Sequence, residues 1–189
     1  MRFSYRIDDD VELSLAEVRH AEEVYQLVKD NYDYLRQWLP WLDEDYALEH
    51  ARDVIKQNLL NLSENKGFSM RILFQKRMAG NISYNFIDWR HRRTEIGYWL
   101  AAPFQGKGIM TKACRALIDN AFHEMKLNRV EICCVVENKR SRMIPERLGF
   151  TLEGVLRQGE WLHDSFHDLA VYSTLASEWR DKDSPSKTR

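Results

Sequence analysis

The stretch Pro103-Phe104-Gln105-Gly106-Lys107-Gly108-Ile109-Met110-Thr111 carries the residues of this sequence best arranged for chemistry. It follows a strand-like run and opens the strongest helical stripe of the chain. The first N–H groups of a helix lack internal partners and lie at the positive end of its dipole. A turn placed there binds a pyrophosphate through its backbone. Gly106 and Gly108 would let that backbone approach the phosphates closely. A strand-to-helix turn without a ligand has the same two glycines, so the motif alone leaves both readings open. Rival phosphate motifs fit poorly. A dinucleotide fingerprint needs a third glycine where Thr111 stands. A P-loop needs Ser or Thr after Gly-Lys, and Lys107 is followed by Gly108. His163 and His167 have metal-ligand spacing for a helix, but their segment reads as strand and turn, so no metal is expected there.

Several elements must hold this turn. Upstream, residues 11–17 alternate like a half-buried strand. A helical stripe runs from Ala21 through Leu35 toward Pro40, whose predecessor disfavours helix. A second stripe, from Leu48 through Leu62, stops near Gly67. Residues 68–74 and 78–87 read as strands joined by a tight turn at 75–77, and 94–100 as a third strand. Downstream, Met110, Ala113, Cys114, Leu117, Ile118, Ala121, Phe122 and Met125 keep the spacing of an amphipathic helix. Residues 130–136 are nearly all apolar, which predicts a central strand covered on both faces. A short helix over 141–148 is stopped by Gly149. Strands over about 152–162 and 168–175 complete a single domain covering residues 1–180. The polar stretch 181–189 is expected to be a disordered tail. This order of elements predicts an α/β (α+β) fold with a partly antiparallel sheet.

The 189 residues are enough to bury a core without disulfides or metals. Lys and Arg number 28 against 29 Asp and Glu, so no electrostatic case arises for nucleic acid or an anionic membrane. The basic clusters at 90–93 and 139–142 read as solvated turns. No apolar run approaches the roughly 20 residues that cross a bilayer. Residues 1–10 are polar and acidic, unlike a signal peptide. Cys114, Cys133 and Cys134 lie in apolar surroundings and read as reduced thiols of a cytoplasmic protein. Neighbours on a strand point to opposite faces, so Cys133 and Cys134 cannot easily act together.

With its surroundings, the glycine turn resembles the GCN5-related N-acetyltransferases (GNAT), and within them the RimJ/RimL-like ribosomal protein N-acetyltransferases. The family motif is Gln or Arg, two residues, Gly, one residue, then Gly or Ala. Here it reads Gln105-Gly106-Lys107-Gly108-Ile109-Met110, with Met110 departing from the small last position. Upstream stand Leu39-Pro40-Trp41 and Glu95-Ile96-Gly97-Tyr98-Trp99-Leu100. Downstream stand Asn138-Lys139-Arg140-Ser141, Glu146-Arg147-Leu148-Gly149-Phe150, Leu152-Glu153-Gly154 and Gly159-Glu160-Trp161. The resemblance spans the chain to about Trp179.

The resemblance implies an acyltransferase that uses acetyl-CoA as co-substrate, without a metal, and acetylates a primary amine by direct transfer. The implied acceptor is a protein N-terminal α-amine of ribosomal type. A small amine such as a polyamine or drug, or a catalytically weak acyl-CoA sensor, is the alternative. It also implies a mixed, mostly antiparallel sheet of about seven strands with about four helices, in which strand 94–100 splays from strand 130–136. Pantetheine would lie in that gap along Tyr98, Trp99 and Leu100 like a short extra strand. Gly97 suits a bulge or a close approach there. The pyrophosphate would sit on the amides of 105–110, flanked by Lys107, Ile109 and Thr111. Asn138 would bond the pantetheine arm, or merely flank a helix. Many members use a tyrosine as the acid near sulfur, and that place falls at Pro145 here. Ser141 is then the replacement acid, a helix N-cap, or both. Glu160 is the implied base, with Trp161 desolvating it and His163 as the fallback. Trp38, Trp41 and Trp161 would line the acceptor cleft or simply pack into the core. RimL-like relatives are commonly oligomeric, which points to a homodimer.

Overall fold

The computed structural model describes residues 4–183. In chain order the first half holds β1 (Ser4–Arg6), β2 (Val11–Leu15), α1 (Ala21–Asp30), α2 (Tyr32–Arg36), α3 (Leu48–Ser63), β3 (Phe68–Phe74), β4 (Arg77–Asp88) and β5 (Arg93–Leu100). The second half holds α4 (Ile109–Asp119), β6 (Arg129–Val135), α5 (Lys139–Arg147), β7 (Thr151–Leu162), β8 (Ser165–Leu175) and α6 (Ala176–Asp183). The strands form one sheet in the order β1-β2-β3-β4-β5-β6-β8-β7. Every pairing is antiparallel except β5 with β6. This is the mixed α+β architecture expected, with eight strands and six helices in place of about seven and four. The added strand β1 is three exposed residues without an apolar pattern. The added helix α6 carries Trp179, fully buried, whose Nε1 donates to Asp119 Oδ1 at 2.6 Å. Because α6 runs to Asp183, it overlaps the segment expected to be disordered; 184–189 lies outside the described residues.

Local chemistry explains the main turns. The β3–β4 hairpin closes on Gln75 (φ 50) and Lys76 (φ 67). Two positive φ values in a two-residue loop match the right-handed twist of the flanking strands. The stripe expected as one helix is broken at Asn31 (φ −121, ψ 20). Asn31 Nδ2 donates back to Leu27 O at 2.9 Å, and its Oδ1 accepts from Ala102 N at 3.0 Å. The break therefore ties the first helices to the loop that leads into the glycine turn.

One face of the sheet packs Ile72, Ile82, Tyr84, Ile96, Val130 and Ile132 against the α4 residues Met110, Ala113, Cys114, Leu117 and Ile118. On the other face, α1 and α3 bury Ala21, Ala51 and Ile55. That second layer stops short of β6. Val130, Ile132 and Cys134 are buried, while Glu131 and Cys133 on the opposite face are only half-buried. The expectation that this strand is covered on both faces is thus corrected, because its second face borders a cleft. The cleft exists because β5 and β6 pair only from Arg93–Arg129 to Glu95–Glu131 and then part. Beyond Glu95 the two strands leave backbone groups facing a gap. Among the described residues, no helix is long and apolar enough to cross a membrane.

Candidate active site

The glycine turn forms one end of a cleft of about 1460 Å³ that runs through the gap to β7. A one-turn helix, Ala102–Phe104, leads into it. The Gln105 amide donates to Ala102 O at 3.2 Å, and its Oε1 accepts from Arg140 at 2.7 Å. The amides open to an anion therefore begin at Gly106 and not at Gln105. Gly106 (φ 74) and Gly108 (φ 72) adopt left-handed backbone. A Cβ built on either meets nothing within 4 Å. The turn thus needs glycine for its backbone shape, and the space above it is open. Ile109 and Met110 are buried beneath it. Lys107 lies over the rings of Phe74 and Phe104 at 5.2 and 5.7 Å. From α5, Arg147 donates to Thr111 Oγ1 at 3.1 Å. Arg140 and Arg147 were missed in the sequence, where 139–142 read as a solvated turn. Their seven-residue spacing, two helical turns, was the available signal. Gly108→Val is expected to weaken acetyl-CoA binding at least about tenfold, since a β-branched residue at this φ is strained and projects into the open space. Calorimetric titration of the folded variant checks this, and wild-type affinity would refute it.

In the gap, Tyr98, Trp99 and Leu100 of β5 line the cleft together with Asn138 and with Ser141 of α5. The helix starts at Lys139, earlier than expected, and its N-cap is Asn138, whose Oδ1 accepts from Ser141 N at 3.1 Å. Ser141 is therefore the capped residue and not the cap. Pro145 lies four residues on and has no N–H, so it leaves the Ser141 carbonyl without its helical donor. The Tyr98 hydroxyl fills that role at 3.1 Å, and Ser141 Oγ donates to it in turn at 3.3 Å. Burial pushes the Tyr98 hydroxyl well above its usual range. Burial also raises the Cys134 thiol to about 11, against the opposing bond from Ser141. Cys133 rises to about 12, through burial and then the charge of Glu95. These thiols stay protonated near neutrality, so neither is a ready nucleophile.

At the far end, Glu160 of β7 turns into the cleft, and Trp38 and Trp41 reach it from the segment after α2. Burial and the nearby Glu95 raise the Glu160 carboxyl. Trp161 does not line this cleft. Strand neighbours face opposite sides, and Trp161 is half-exposed against Phe166, ring centroids 4.6 Å apart. His163 sits in the β7–β8 turn (φ 53) with Nε2 2.7 Å from Arg36 O, on the wall of a separate cavity of about 420 Å³. The structure therefore brings Glu160, Ser141, Trp38 and Trp41 to one cleft, and leaves Trp161 and His163 outside. Among the described residues, Glu95, Glu131 and Cys133 place possible metal-ligand atoms within 4.8 Å of one another. Glu131 is already held by Arg129 at 2.6 Å.

Residues 10–151 match the acetyltransferase (GNAT) domain family. The chain belongs to the GNAT acetyltransferases. It is an acetyl-CoA-dependent N-acetyltransferase of the RimL-like kind. The chain is 37% identical over 178 residues to the putative ribosomal N-acetyltransferase YdaF of Bacillus subtilis, covering 94% of this chain and 97% of that protein. Its fold matches RimL, a ribosomal L7/L12 alpha-N-protein acetyltransferase in complex with coenzyme A, with TM-score 0.87 and 32% identity over 91% of this chain and 97% of that one. It also matches the microcin C7 self-immunity acetyltransferase MccE, in complex with acetyl-CoA and AMP, with TM-score 0.86 and 33% identity over 89% of this chain and 94% of that one. The open turn, the unpaired strand edges and the long cleft of this GNAT chain fit an acyl-CoA.

Proposed function

We propose that this GNAT enzyme acetylates the α-amine of a protein N-terminus, with a ribosomal protein as acceptor class, in the cytoplasm. The observation that carries the reading is the placement of Glu160. Its raised carboxyl faces the gap between β5 and β6 at the cleft end bordered by Trp41, which is 44% exposed. An acceptor entering there meets a base before it meets the acyl group. The similarity to YdaF, a putative ribosomal N-acetyltransferase, and to RimL supports the acceptor class. Acetyl-CoA supplies an activated acetyl group and a thiolate leaving group. Glu160 takes the proton of the ammonium. The amine lone pair forms the new N–C bond, the C–S bond breaks, and the second nitrogen proton passes to the departing thiolate, which Ser141 meets as it gains charge. Direct transfer is supported by the protonated state of Cys133 and Cys134, and holding both substrates in line supplies much of the rate. Incubating the enzyme with acetyl-CoA and peptides bearing free or blocked N-termini, with CoA release and mass spectrometry as readouts, tests this. Acetylation of spermidine alone would favour the small-amine reading, which the paired carboxylates Glu95 and Glu160 support. Binding of acetyl-CoA without turnover of any amine would favour the sensor.

The same reading includes a homodimer. Outermost strand β7 exposes Leu152, Val155 and Leu156 along twelve residues, and Trp161 and Phe166 extend the apolar surface. Long apolar edges are covered in stable proteins. Sedimentation at micromolar concentration is expected to give twice the chain mass; a clean monomer would overturn it.

A further inference from the structure

Asn85 is the extra residue of a bulge in β4. Tyr84 pairs with Ile96 and Phe86 with Glu95, so Asn85 has no partner of its own in β5. Bulges next to active sites re-aim a side chain, and Asn85 enters the acceptor end of the cleft. Its amide orientation is set by a relay. Ser83 Oγ donates to Asn85 Oδ1 at 2.8 Å, which turns Nδ2 toward Glu95 Oε1 at 2.6 Å. Gly97 makes the room, since a Cβ there would lie 2.5 Å from Asn85 Oδ1. Gly97, which suits a bulge or a close approach by its residue type, also admits this side chain. Across the sheet, the Cys133 thiol lies within 4.8 Å of the Glu95 carboxylate.

Glu95 is thus a half-buried carboxylate, oriented by Asn85 of β4, at the last residue before β5 and β6 part. Its neighbour Glu131 has Arg129 at 2.6 Å and Arg93 at 3.7 Å. Glu95 forms no ion pair among the described residues. A carboxylate held in this way, facing a cleft, lacks the counter-charge that usually accompanies partial burial. The acceptor of an N-acetyltransferase brings one as its ammonium.

We propose that Glu95 is the anionic subsite that captures the acceptor ammonium, that Asn85 is its positioning residue, and that Glu160 on the opposite bank then takes the proton. The inference rests on the reading of Glu160 as base. It divides two carboxylates by role: Glu95 is tethered and binds charge, whereas Glu160 is raised by burial and by Glu95 and so is suited to receive a proton. The other charged groups around the pair are accounted for. Glu131 is neutralised by its arginines. His167, cross-strand from Glu160, lies 3.8 Å from Glu137. Asp168 accepts from Gln158 N at 2.8 Å.

The test compares wild type, Glu95→Gln and Asn85→Ala, with a free-N-terminus peptide and with spermidine as acceptors. Glu95→Gln is expected to raise acceptor KM about tenfold or more, to leave acetyl-CoA affinity unchanged, and to move the acid limb of kcat/KM to lower pH. The limb moves down because removing a like charge eases ionisation of Glu160. Asn85→Ala should shift both readouts the same way by less. Wild-type KM and an unmoved limb in folded Glu95→Gln would overturn the proposal. If only spermidine is acetylated, the N-terminal reading fails, but the comparison still runs on spermidine. If neither amine is acetylated, carboxyl 13C NMR titration of Glu160 decides. A lower midpoint in Glu95→Gln upholds the coupling of the two carboxylates, and an unmoved midpoint overturns it.

Discussion

Replacing Glu160 by Gln is expected to lower kcat about 10²- to 10⁴-fold, the usual span for losing a general base, with acetyl-CoA affinity nearly unchanged. The substitution keeps the shape of the side chain and removes only its ability to take a proton. The wild-type pH profile should have an acid limb above the ordinary glutamate range of about 4.3, because burial and Glu95 both raise the Glu160 carboxyl. The base must be ionised to act, so the rate rises with pH through that value, and Glu160→Gln should lose the limb. Stability should move the other way. A carboxyl raised in the folded state stabilises the fold below its unfolded pKa, and this contribution is lost as pH rises through the folded value. At neutral pH the charge at 160 therefore opposes folding, and Glu160→Gln should melt no lower than wild type. An amine that loses its proton to bulk water would instead leave rate and profile nearly unaltered in this variant. That result would remove Glu160 from the mechanism.

The reach of the sequence differs along the chain for physical reasons. The glycine turn was legible because two left-handed positions before an amphipathic helix leave a residue-type signature, and the structure places both glycines at φ above 70. The splayed strands came only from resemblance, since nothing in residues 94–100 or 130–136 marks where a ladder stops. Grouping Glu160 with Trp161 overlooked a tendency available from spacing alone: adjacent strand residues point to opposite faces, and here only Glu160 of the two lines the cleft. The desolvation of Glu160 comes from the cleft walls. His163 could not be placed because β7 carries a register shift between Leu156 and Glu160, and bulges of this kind re-aim all that follows. Asn85 and Glu95 were missed for the same reason. A bulge at Asn85 breaks the alternation that would have flagged it, and Glu95 entered only as part of a motif.

Ser141→Ala is expected to lower kcat about 10²-fold with acetyl-CoA affinity held. Its stability cost should be small, because Asn138 caps α5 and Ser141 contributes only its backbone N–H to that cap. The serine hydroxyl is fixed by a bond that exists because of Pro145. Without a proline N–H the Ser141 carbonyl needs another donor, and Tyr98 supplies it at 3.1 Å while accepting from Ser141 Oγ at 3.3 Å. Tyr98→Phe should then cost about 1–3 kcal/mol by stranding that carbonyl, and should slow turnover less than Ser141→Ala, since the serine remains. Adding Pro145→Ala to Tyr98→Phe returns a helical N–H to the same carbonyl, and the double variant should recover part of the lost stability. Additive losses in that cycle would refute the carbonyl argument. The Tyr98 hydroxyl is held above its usual range, so it should contribute no basic limb to kcat below about pH 10. A folded Ser141→Ala enzyme turning over at the wild-type rate would leave the departing sulfur to water and the α5 backbone. The hydroxyl at 141 would then serve only to hold Tyr98 against the helix that proline interrupts.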